Sequence, residues 1–311
     1  MREFSFGGTA VVTGAASGIG EALAYDLAAR GCDLVLLDKD ADRLSTVVST
    51  IQSRHSTVDV APYVVDLAST SDTIATAEAI LTDHPRIRLL INNAGVALGG
   101  RFDQVTLDEF NWVIDINFRA TVTLTHRLLP ALKAEPGSHL VNLSSLFGII
   151  APGGQAAYSA SKFAVRGFTE ALQQELMADG IGVSCVHPGG VRTRIGSSAR
   201  VGSGVPAEYA EAHRDDWQKV LTMDPAAAAG VILRGVARRK PRILISGTAR
   251  LLDGLARLLP GSYGAILVTA TRRRSARTPT PGGSVAASAL PVAQDQAPEI
   301  QNARSASPET R

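Results

Sequence analysis

The sequence predicts an α/β fold in which helices cover both faces of a doubly wound, seven-stranded parallel sheet. From Thr9 to about Ile245, short apolar runs alternate with longer segments of helical period. The apolar runs are nearly continuous and rich in β-branched residues, which is typical of strands buried on both faces. Strand–helix–strand alternation then requires right-handed crossovers and therefore a parallel sheet.

Seven strands and five long helices account for this region in order. The predicted strands are Thr9–Thr13, Asp33–Leu37, Val60–Val64, Leu89–Ile91, His139–Leu143, Gly182–Val186 and Arg242–Ile245. The predicted helices are Ile19–Arg30, Ala41–Ser53, Ser71–His84, Leu107–Lys133 and Ala157–Asp179. One domain therefore spans most of the chain, although its 311 residues would suggest two by length alone.

The C-terminal end departs from this alternation. Residues 249–259 carry leucines at helical spacing, with Arg250, Asp253 and Arg257 outside the stripe. We therefore divide the chain into an α/β domain at 1–248, a helical, apolar extension at 249–271 and a disordered tail at 272–311 that lacks Trp, Tyr and Phe. The leucine stripe predicts a helix packed on the sheet or on a second subunit. The alternative, suggested by the surrounding arginines, is peripheral contact with a membrane surface.

The composition excludes several classes of protein. Hydrophobic residues make up 45% of the chain, which excludes wholesale disorder, and a net charge of +2 gives no indication of a nucleic-acid partner. No apolar run reaches the ~18 residues that a membrane span requires. Cys32 and Cys185 match no metal or disulfide framework, and the first residues lack the apolar stretch of a secretory signal. We expect a cytoplasmic protein without a metal site.

A glycine-rich turn follows the first strand and opens a helix, in the run Thr13-Gly14-Ala15-Ala16-Ser17-Gly18-Ile19-Gly20. Glycines at such a turn let the backbone approach a pyrophosphate, whose charge the helix N-terminus stabilises. The spacing is Gly-x3-Gly-x-Gly, which differs from the more general Gly-x-Gly-x-x-Gly pattern. The turn predicts a bound dinucleotide, contacted by Gly14, Ser17, Gly18, Ile19 and Gly20.

The end of the second strand indicates which dinucleotide is bound. Asp38 stands about 20 residues after the glycines, where an acid would hydrogen-bond the adenosine ribose. Its carboxylate would repel a 2′-phosphate, so NAD is favoured, whereas Lys39 would partly offset that repulsion and leaves NADP as the alternative. Asp66 and Leu67, after the third strand, are expected at the adenine. Capping of a helix is an equally good role for Asp66.

Two later turns complete the predicted cofactor cleft. Asn93, Ala94 and Gly95 close the fourth strand, where small residues would let the backbone pass beside the cofactor. After the sixth strand, backbone groups and a threonine hydroxyl would hold a nicotinamide carboxamide. The residues expected there are Pro188, Gly189, Val191 and Thr193.

Tyr158 and Lys162 stand four residues apart at the start of a predicted helix. Positions i and i+4 share one helix face, so the phenol and the ammonium are expected side by side. A free tyrosine titrates near ~10, too high for proton transfer at neutral pH. A neighbouring cation should lower that pKa, which makes Tyr158 a candidate general acid–base. On its own, a Tyr-x3-Lys pair is more often an ordinary exposed pair.

Ser145 lies thirteen residues before Tyr158, at the carboxyl end of the fifth predicted strand, where ligands of open parallel sheets bind. Its hydroxyl could hydrogen-bond a substrate carbonyl while Tyr158 exchanges a proton with it. Ser144 is the competing candidate. Asn117, amid apolar residues of the fourth predicted helix, could hold a water or open a local helix bond; the alternative is an ordinary buried amide.

In this order and at these spacings, the motifs resemble the short-chain dehydrogenase/reductase family across about residues 5–245. The resemblance rests on Thr13-Gly14-x3-Gly18-Ile19-Gly20, Asn92-Asn93-Ala94-Gly95, Asn117, Ser145, Tyr158-x3-Lys162 and Pro188-Gly189. Each motif is weak alone, but the ordered set is highly specific. It implies a Rossmann sheet with strand order 3-2-1-4-5-6-7. It also implies a homodimer or homotetramer paired through the two longest predicted helices.

The resemblance further implies a catalytic tetrad. Tyr158 would be the acid–base, Lys162 would lower its pKa and bind the nicotinamide ribose, Ser145 would polarise the substrate oxygen, and Asn117 would anchor a proton-relaying water. Hydride would pass between the nicotinamide and a secondary alcohol or ketone, without a metal. The alternative is a non-catalytic dinucleotide-binding regulator that keeps the fold.

The substrate side of the site is expected to be fairly apolar. Phe147, Gln155, Ile149 and Ile150 would line it together with the catalytic serine and tyrosine. Residues 194–224 would cover the substrate, and glycines in that stretch suit a mobile lid.

Overall fold

The computed structural model describes residues 3–208 and 221–266. Its strands are β1 (Gly8–Thr13), β2 (Cys32–Asp38), β3 (Val60–Val64), β4 (Leu89–Asn92), β5 (Leu98–Gly99), β6 (His139–Leu143), β7 (Gly182–His187), β8 (Arg200–Val201) and β9 (Arg242–Leu244). Its helices are α1 (Gly18–Ala29), α2 (Ala41–Arg54), α3 (Thr70–Asp83), α4 (Leu107–Ile114), α5 (Ala120–Lys133), α6 (Ala156–Glu175), α7 (Arg194–Ser197), α8 (Pro225–Ala237) and α9 (Gly247–Leu258). Short 3₁₀ turns occupy Phe102–Gln104 and Leu146–Gly148.

Seven parallel strands form the main sheet in the order β3-β2-β1-β4-β6-β7-β9. This confirms the predicted fold class and strand order, because the two additional strands lie outside this sheet. Those strands, β5 and β8, pair with each other in parallel. Each has only two residues, too few to produce a hydrophobic pattern, which is why the sequence did not predict them.

The near-continuous apolar strands are explained by the two hydrophobic layers around the sheet. Val12 and Leu36 lie in the layer that contains Leu23 of α1. Their chain neighbours Val11 and Leu37 lie in the opposite layer. Successive strand residues point to opposite faces, so a strand covered on both sides needs an apolar residue at every position.

The prediction of one continuous helix over Leu107–Lys133 is wrong, because the segment is interrupted near its middle. A π-helical turn at Asp115–Arg119 separates α4 from α5. The amide of Ala120 bonds to the carbonyl of Asp115, five residues earlier, and the Asn117 carbonyl accepts from the Thr121 hydroxyl. The helix is widened where the Asn117 side chain is held by other parts of the chain, as π-bulges at functional sites often are.

The C-terminal helix α9 begins at Gly247, but the face that it buries is not the predicted one. Ala249 and Asp253 are its buried residues, whereas Leu251 and Leu258 are exposed. Leu251 and Leu258 of the predicted stripe therefore do not pack on the sheet, because an ion pair with a β9 residue turns Asp253 inward. Packing of the stripe on a second subunit stays a prediction. The predicted tail at 272–311 and the end of the predicted extension lie outside the described residues. Within the described part of the chain, no helix is long and apolar enough to cross a membrane.

Candidate active site

The candidate site lies at the carboxyl ends of β1, β4, β6 and β7, which meet at one edge of the sheet. These ends carry the glycine turn, the Asn93–Gly95 turn, Ser145 and the Pro188–Gly189 turn, respectively. Open parallel sheets bind ligands in this crevice. The fold therefore brings the separate sequence motifs to one place.

The glycine turn and the turn after β4 are locked together. The Thr13 hydroxyl accepts from the amides of Asn93 and Ala94, and the Asn93 side chain donates to the carbonyls of Thr13 and Gly14. Gly14 has φ of 65°, and a Cβ there would lie 2.9 Å from the Ala94 Cα. A Cβ on Gly20 would collide with the Gly14 carbonyl oxygen. The turn therefore requires glycine at both positions, because neighbouring parts of the chain fill the space that a side chain would need.

The N-terminus of α1 is suited to bind an anion. Its N-cap residue, Ser17, makes no side-chain capping hydrogen bond, whereas Asp40 and Ser69 cap α2 and α3 by accepting from backbone amides. The first-turn amides of a helix have no intrahelical partner and attract negative charge. Thr193 reaches this turn from β7, since a Cβ on Gly18 would lie 3.0 Å from the Thr193 Cβ. The donors and the open cradle fit the pyrophosphate of a dinucleotide.

Asp38 has a role that the sequence did not predict. One carboxylate oxygen accepts from the Ala16 amide at 2.9 Å and the other from the Asp40 amide at 3.1 Å. The carboxylate thus joins the glycine turn to the end of β2, and each oxygen keeps a further lone pair for a ribose hydroxyl. Lys39 beside it is exposed.

Asp66 and Leu67, which are predicted to lie at the adenine, make contacts within the protein. Asp66 is exposed and accepts from the Ala68 amide, which makes a turn ahead of α3. The capping alternative for Asp66 is wrong, because Ser69 is the N-cap. Leu67 is buried in one of the two hydrophobic layers, so its side chain packs there.

The turn after β7 is held on both sides. The Pro188 carbonyl accepts from the Leu146 amide, and the Gly190 carbonyl accepts from the amides of Thr222 and Met223. Val191 is buried and bridges to Met223. The turn is therefore anchored to the loop that carries Ser145 and to the chain that enters α8.

Tyr158 and Lys162 lie on one face of α6, as their spacing predicts. Tyr158 is partly exposed and packs edge-on against the Phe147 ring, with centroids 6.0 Å apart. Lys162 is only 3% exposed, and its Nζ lies 5.8 Å from the Tyr158 ring centroid. The ammonium donates to the Leu143 carbonyl at 3.0 Å. This bond ties α6 to the end of β6.

The pKa values of this pair are governed by burial. Surrounding protein raises the pKa of Tyr158, and the Ser145 hydroxyl opposes that effect. This direction is opposite to the one expected from a neighbouring cation, because desolvation outweighs other effects on the phenolate. Desolvation also lowers the pKa of Lys162 to about 8. The site therefore holds a protonated phenol beside an ammonium group that loses its proton more readily than an ordinary lysine does.

Asn117 is a constrained amide rather than a loose polar side chain. Its Oδ1 accepts from the Val96 amide, and its Nδ2 donates to the Val96 carbonyl and to the Ser161 hydroxyl at 2.9 Å. Ser161 in turn donates to the Tyr158 carbonyl at 2.7 Å. Ser161 thus links two predicted catalytic residues. Its spacing of three residues from Tyr158 was the signal that could have identified it.

Gly95 separates Asn117 from Lys162. A Cβ on this glycine would lie 3.2 Å from both the Asn117 Oδ1 and the Lys162 Nζ. The absence of a side chain lets the two polar groups approach the same backbone position.

The two candidate serines have different surroundings. The Ser144 hydroxyl is buried and donates its proton to the Lys162 carbonyl of α6, so this proton is not available to a substrate. The Ser145 hydroxyl accepts from the Phe147 amide, which leaves its own proton for another acceptor. This geometry favours Ser145 as the residue that meets a substrate oxygen.

His187 is a residue that sequence reasoning missed. It is fully buried at the end of β7, its Nδ1 lies 3.0 Å from the Ser145 carbonyl oxygen, and desolvation lowers its pKa to about 4. A neutral imidazole beside a carbonyl must donate from Nδ1, so His187 supports the backbone of Ser145. Its position directly before Pro188-Gly189 was the available signal.

Part of the substrate side is held by close packing and hydrogen bonds where the structure describes it. Phe147 is partly exposed, whereas Gln155, Ile149 and Ile150 are buried. Glycines after Thr193 serve close packing: a Cβ on Gly202 would lie 2.5 Å from the Gln104 carbonyl oxygen. The Ser203 amide also donates to Glu109 at 2.9 Å. Residues 209–220 of the predicted lid lie outside the described residues.

Comparisons with known proteins agree with this geometry. Residues 8–203 match the family described as short chain dehydrogenase. The oxidoreductase SadH of Mycobacterium tuberculosis is 38% identical over 259 residues, which cover 83% of this chain and 92% of that protein. A short-chain dehydrogenase/reductase from Burkholderia phymatum in complex with NAD is 28% identical, with a TM-score of 0.71 over 92% of this chain and 100% of that one. A Sphingobium yanoikuyae short-chain dehydrogenase in complex with NADPH is 30% identical, with a TM-score of 0.67 over 81% and 94%.

Proposed function

The chain belongs to the short-chain dehydrogenase family of oxidoreductases, and we propose that it transfers a hydride between NAD(P) and a secondary alcohol or ketone. The observation that carries the proposal is the meeting of Ser145, Tyr158 and Lys162 beside the glycine turn. The alternative, a regulator that binds a dinucleotide without catalysis, would not need a phenol and a free hydroxyl at the same place.

The residues that would hold the cofactor extend along the cleft in order. The glycine turn and the α1 N-terminus would hold the pyrophosphate, Asp38 the adenosine ribose, Lys162 the nicotinamide ribose, and the Pro188–Thr193 turn the carboxamide. When bound, the nicotinamide supplies the acceptor or donor of the hydride.

Tyr158 would move the proton of the reaction. In oxidation, its phenolate oxygen takes the proton from the substrate hydroxyl, while the carbinol C–H bond breaks and its electron pair leaves with the hydride. A C=O bond then forms, and in reduction the phenol returns the proton to the same oxygen. Ser145 would donate a hydrogen bond to that oxygen throughout, while Asn117 and Ser161 fix the turn that carries Tyr158.

The raised pKa of Tyr158 implies different pH dependence for the two directions. Reduction uses the phenol, which is the abundant form at neutral pH, whereas oxidation uses the phenolate. The rate of oxidation should therefore rise with pH above neutrality more steeply than the rate of reduction.

We favour NAD over NADP because Asp38 is held in place by two backbone amides. A fixed carboxylate at the ribose would meet a 2′-phosphate directly, whereas the side chain of Lys39 is exposed and flexible. Dissociation constants measured with both cofactors test this preference. A tighter constant for NADP would show that Lys39 outweighs Asp38.

Two further parts of the proposal concern the substrate and the assembly. The Phe147 ring next to Tyr158 favours a substrate with an apolar group beside its oxygen. Pairing of two or four chains through α4, α5 and α6 follows from the family resemblance, and sedimentation would measure it.

Tyr158→Phe tests the proposed chemistry most directly. This change should reduce turnover of alcohols and ketones by at least about 100-fold, since it removes the proton carrier and little else. Dinucleotide binding, measured by calorimetry, should stay within a few-fold of the unchanged chain. Tyr25→Phe removes a distant hydroxyl on α1 and serves as the matched control. Unchanged turnover in the Tyr158→Phe variant would favour the regulator.

A further inference from the structure

Helix α9 is attached to the protein by its polar side. Asp253 is only 8% exposed and is bonded to Arg242 of β9, and its second oxygen accepts from Arg257 at 3.1 Å. Ala249 is fully buried near the turn after β7. The helix is therefore fixed in place largely by the residues opposite Leu251 and Leu258.

The leucines of α9 lie on the outside. Leu251 is 72% exposed and Leu258 is 81% exposed, and these two residues are seven positions apart on one helix face. Leu259 beyond the helix is also exposed, whereas Leu252 and Leu255 are half-buried. These five residues are called the leucine face below. Within the described part of the chain, nothing covers Leu251 or Leu258.

The exposed charges of α9 itself are all positive. Asp253 is the single acidic residue from Gly247 to Ile266, and its ion pairs bury it. Arg250 is exposed, and Arg257 keeps 59% of its side chain accessible although it contacts Asp253. Both arginines lie along one edge of the leucine face, by their helical spacing. The sequence continues beyond Ile266 into Arg272-Arg273-Arg274.

We propose that the leucine face docks on an anionic lipid surface, with α9 lying in the plane of the interface. An amphipathic helix of this kind inserts its apolar side to the depth of the headgroups, while flanking arginines contact acidic headgroups. A second copy of the chain suits this face less well. In an antiparallel two-fold contact the arginine-lined edges of the two copies would meet, and like charges would oppose that contact.

Flotation of the full-length protein with lipid vesicles tests this docking. The protein should float with vesicles of phosphatidylcholine and phosphatidylserine at low salt, and much less with phosphatidylcholine alone. Leu251→Gln together with Leu258→Gln should reduce the bound fraction by about tenfold or more, because two apolar side chains lose their burial in lipid. Leu107→Gln changes a leucine of α4 that is equally exposed, at 73%, and should leave the binding unchanged.

The electrostatic contribution to membrane binding is tested by one arginine variant and its control. Arg250→Gln should weaken binding about fivefold, as expected for one basic residue near an anionic surface, whereas Arg127→Gln on α5 should not. Absence of flotation with anionic vesicles would overturn the proposal, as would equal flotation with both vesicle types. A fall in molar mass by light scattering in the double leucine variant, without any flotation of the unchanged chain, would assign the face to a second copy instead.

Discussion

Helices α6 and α9 each bury a charged side chain, but only the charge on α9 has partners of opposite charge. Lys162 of α6 has a backbone carbonyl as its hydrogen-bond acceptor, and in the described residues no carboxylate forms an ion pair with it. Asp253 of α9 lies between two arginines. The unpaired charge carries a pKa displaced to about 8, whereas the paired one fastens a helix to the sheet. A buried charge without a counterion indicates chemistry, and a neutralised one indicates attachment.

Replacement of the unpaired charge should have the largest effect, and it should fall on activity. Lys162→Met should lower kcat by about 100- to 10,000-fold, in the range that proton-transfer groups contribute. The free energy of unfolding should stay level or increase, because a desolvated ammonium is removed. Initial rates and urea unfolding would measure the two effects. Lys133→Met, at an exposed lysine of α5, is the control for both. A large loss of stability in Lys162→Met would contradict the comparison.

Removal of the neutralised charge should affect stability instead. Asp253→Asn leaves the half-buried Arg242 with Glu170 as its remaining carboxylate partner, at a cost of up to about 3 kcal/mol in the free energy of unfolding. The kcat of the folded fraction should be unchanged, since α9 contributes no residue to the proposed chemistry. Thermal melting and rates per folded molecule would test this. A variant that melts normally but loses turnover would reverse the roles assigned to the two helices.

Two buried histidines, which desolvation keeps neutral, form a third case. Their effect should appear as a loss of stability in acid. Desolvation lowers the pKa of His139 to about 3 and that of His187 to about 4, against 6.5 for an ordinary imidazole. Between these values the unfolded chain binds protons that the folded chain does not. Stability is therefore complete above about pH 6.5 and is lost as the pH falls towards 4.

Each of these histidines should contribute about 2 kcal/mol of destabilisation between pH 7 and pH 5. His187→Asn should flatten the fall by about that amount, because asparagine does not titrate, and His139→Asn should do the same. The exposed His126 provides the control His126→Gln, which should leave the slope intact. Urea midpoints at the two pH values give the measurement, and an unchanged slope in both buried variants would refute this origin of acid sensitivity.

An exposed ion pair should show the smallest effect. Lys133 and Asp179 approach to 2.8 Å, but about half and one third of their side chains, respectively, remain accessible. Asp179→Asn should cost less than about 1 kcal/mol, because water screens such a pair. Comparison of its unfolding free energy with that of Asp253→Asn isolates the contribution of burial. Equal losses in the two variants would remove burial as the explanation.

The fold could be predicted from the sequence because its strands are apolar at nearly every position and its helices are periodic. Both patterns are local. The π-helical turn could not, because it depends on Val96 and Ser161, which hold the Asn117 side chain from distant parts of the chain. The position of the motifs at one sheet edge followed from parallel topology alone.

Two sequence predictions differ from the structure in what surrounds the predicted residues. The spacing of Tyr158 and Lys162 placed them on one helix face, but it did not reveal that burial raises the pKa of Tyr158, against the opposing hydrogen bond from Ser145. Likewise, the leucine period identified the faces of α9 without revealing which one packs inward. That choice is made by Arg242, which belongs to another element.

The segment that is predicted to cover the substrate is anchored at both ends, and the strand pair β5–β8 lies at one of them. One end of that segment is fixed where the Gly202 amide donates to Gly99, and the other where Thr222 and Met223 bond to Gly190. Between two fixed anchors, a doubling of loop length costs only about 0.6 kcal/mol in closure entropy. Sequence of a different length between these two anchors should therefore leave the hydrogen bonds at Gly99 and Gly190 in place.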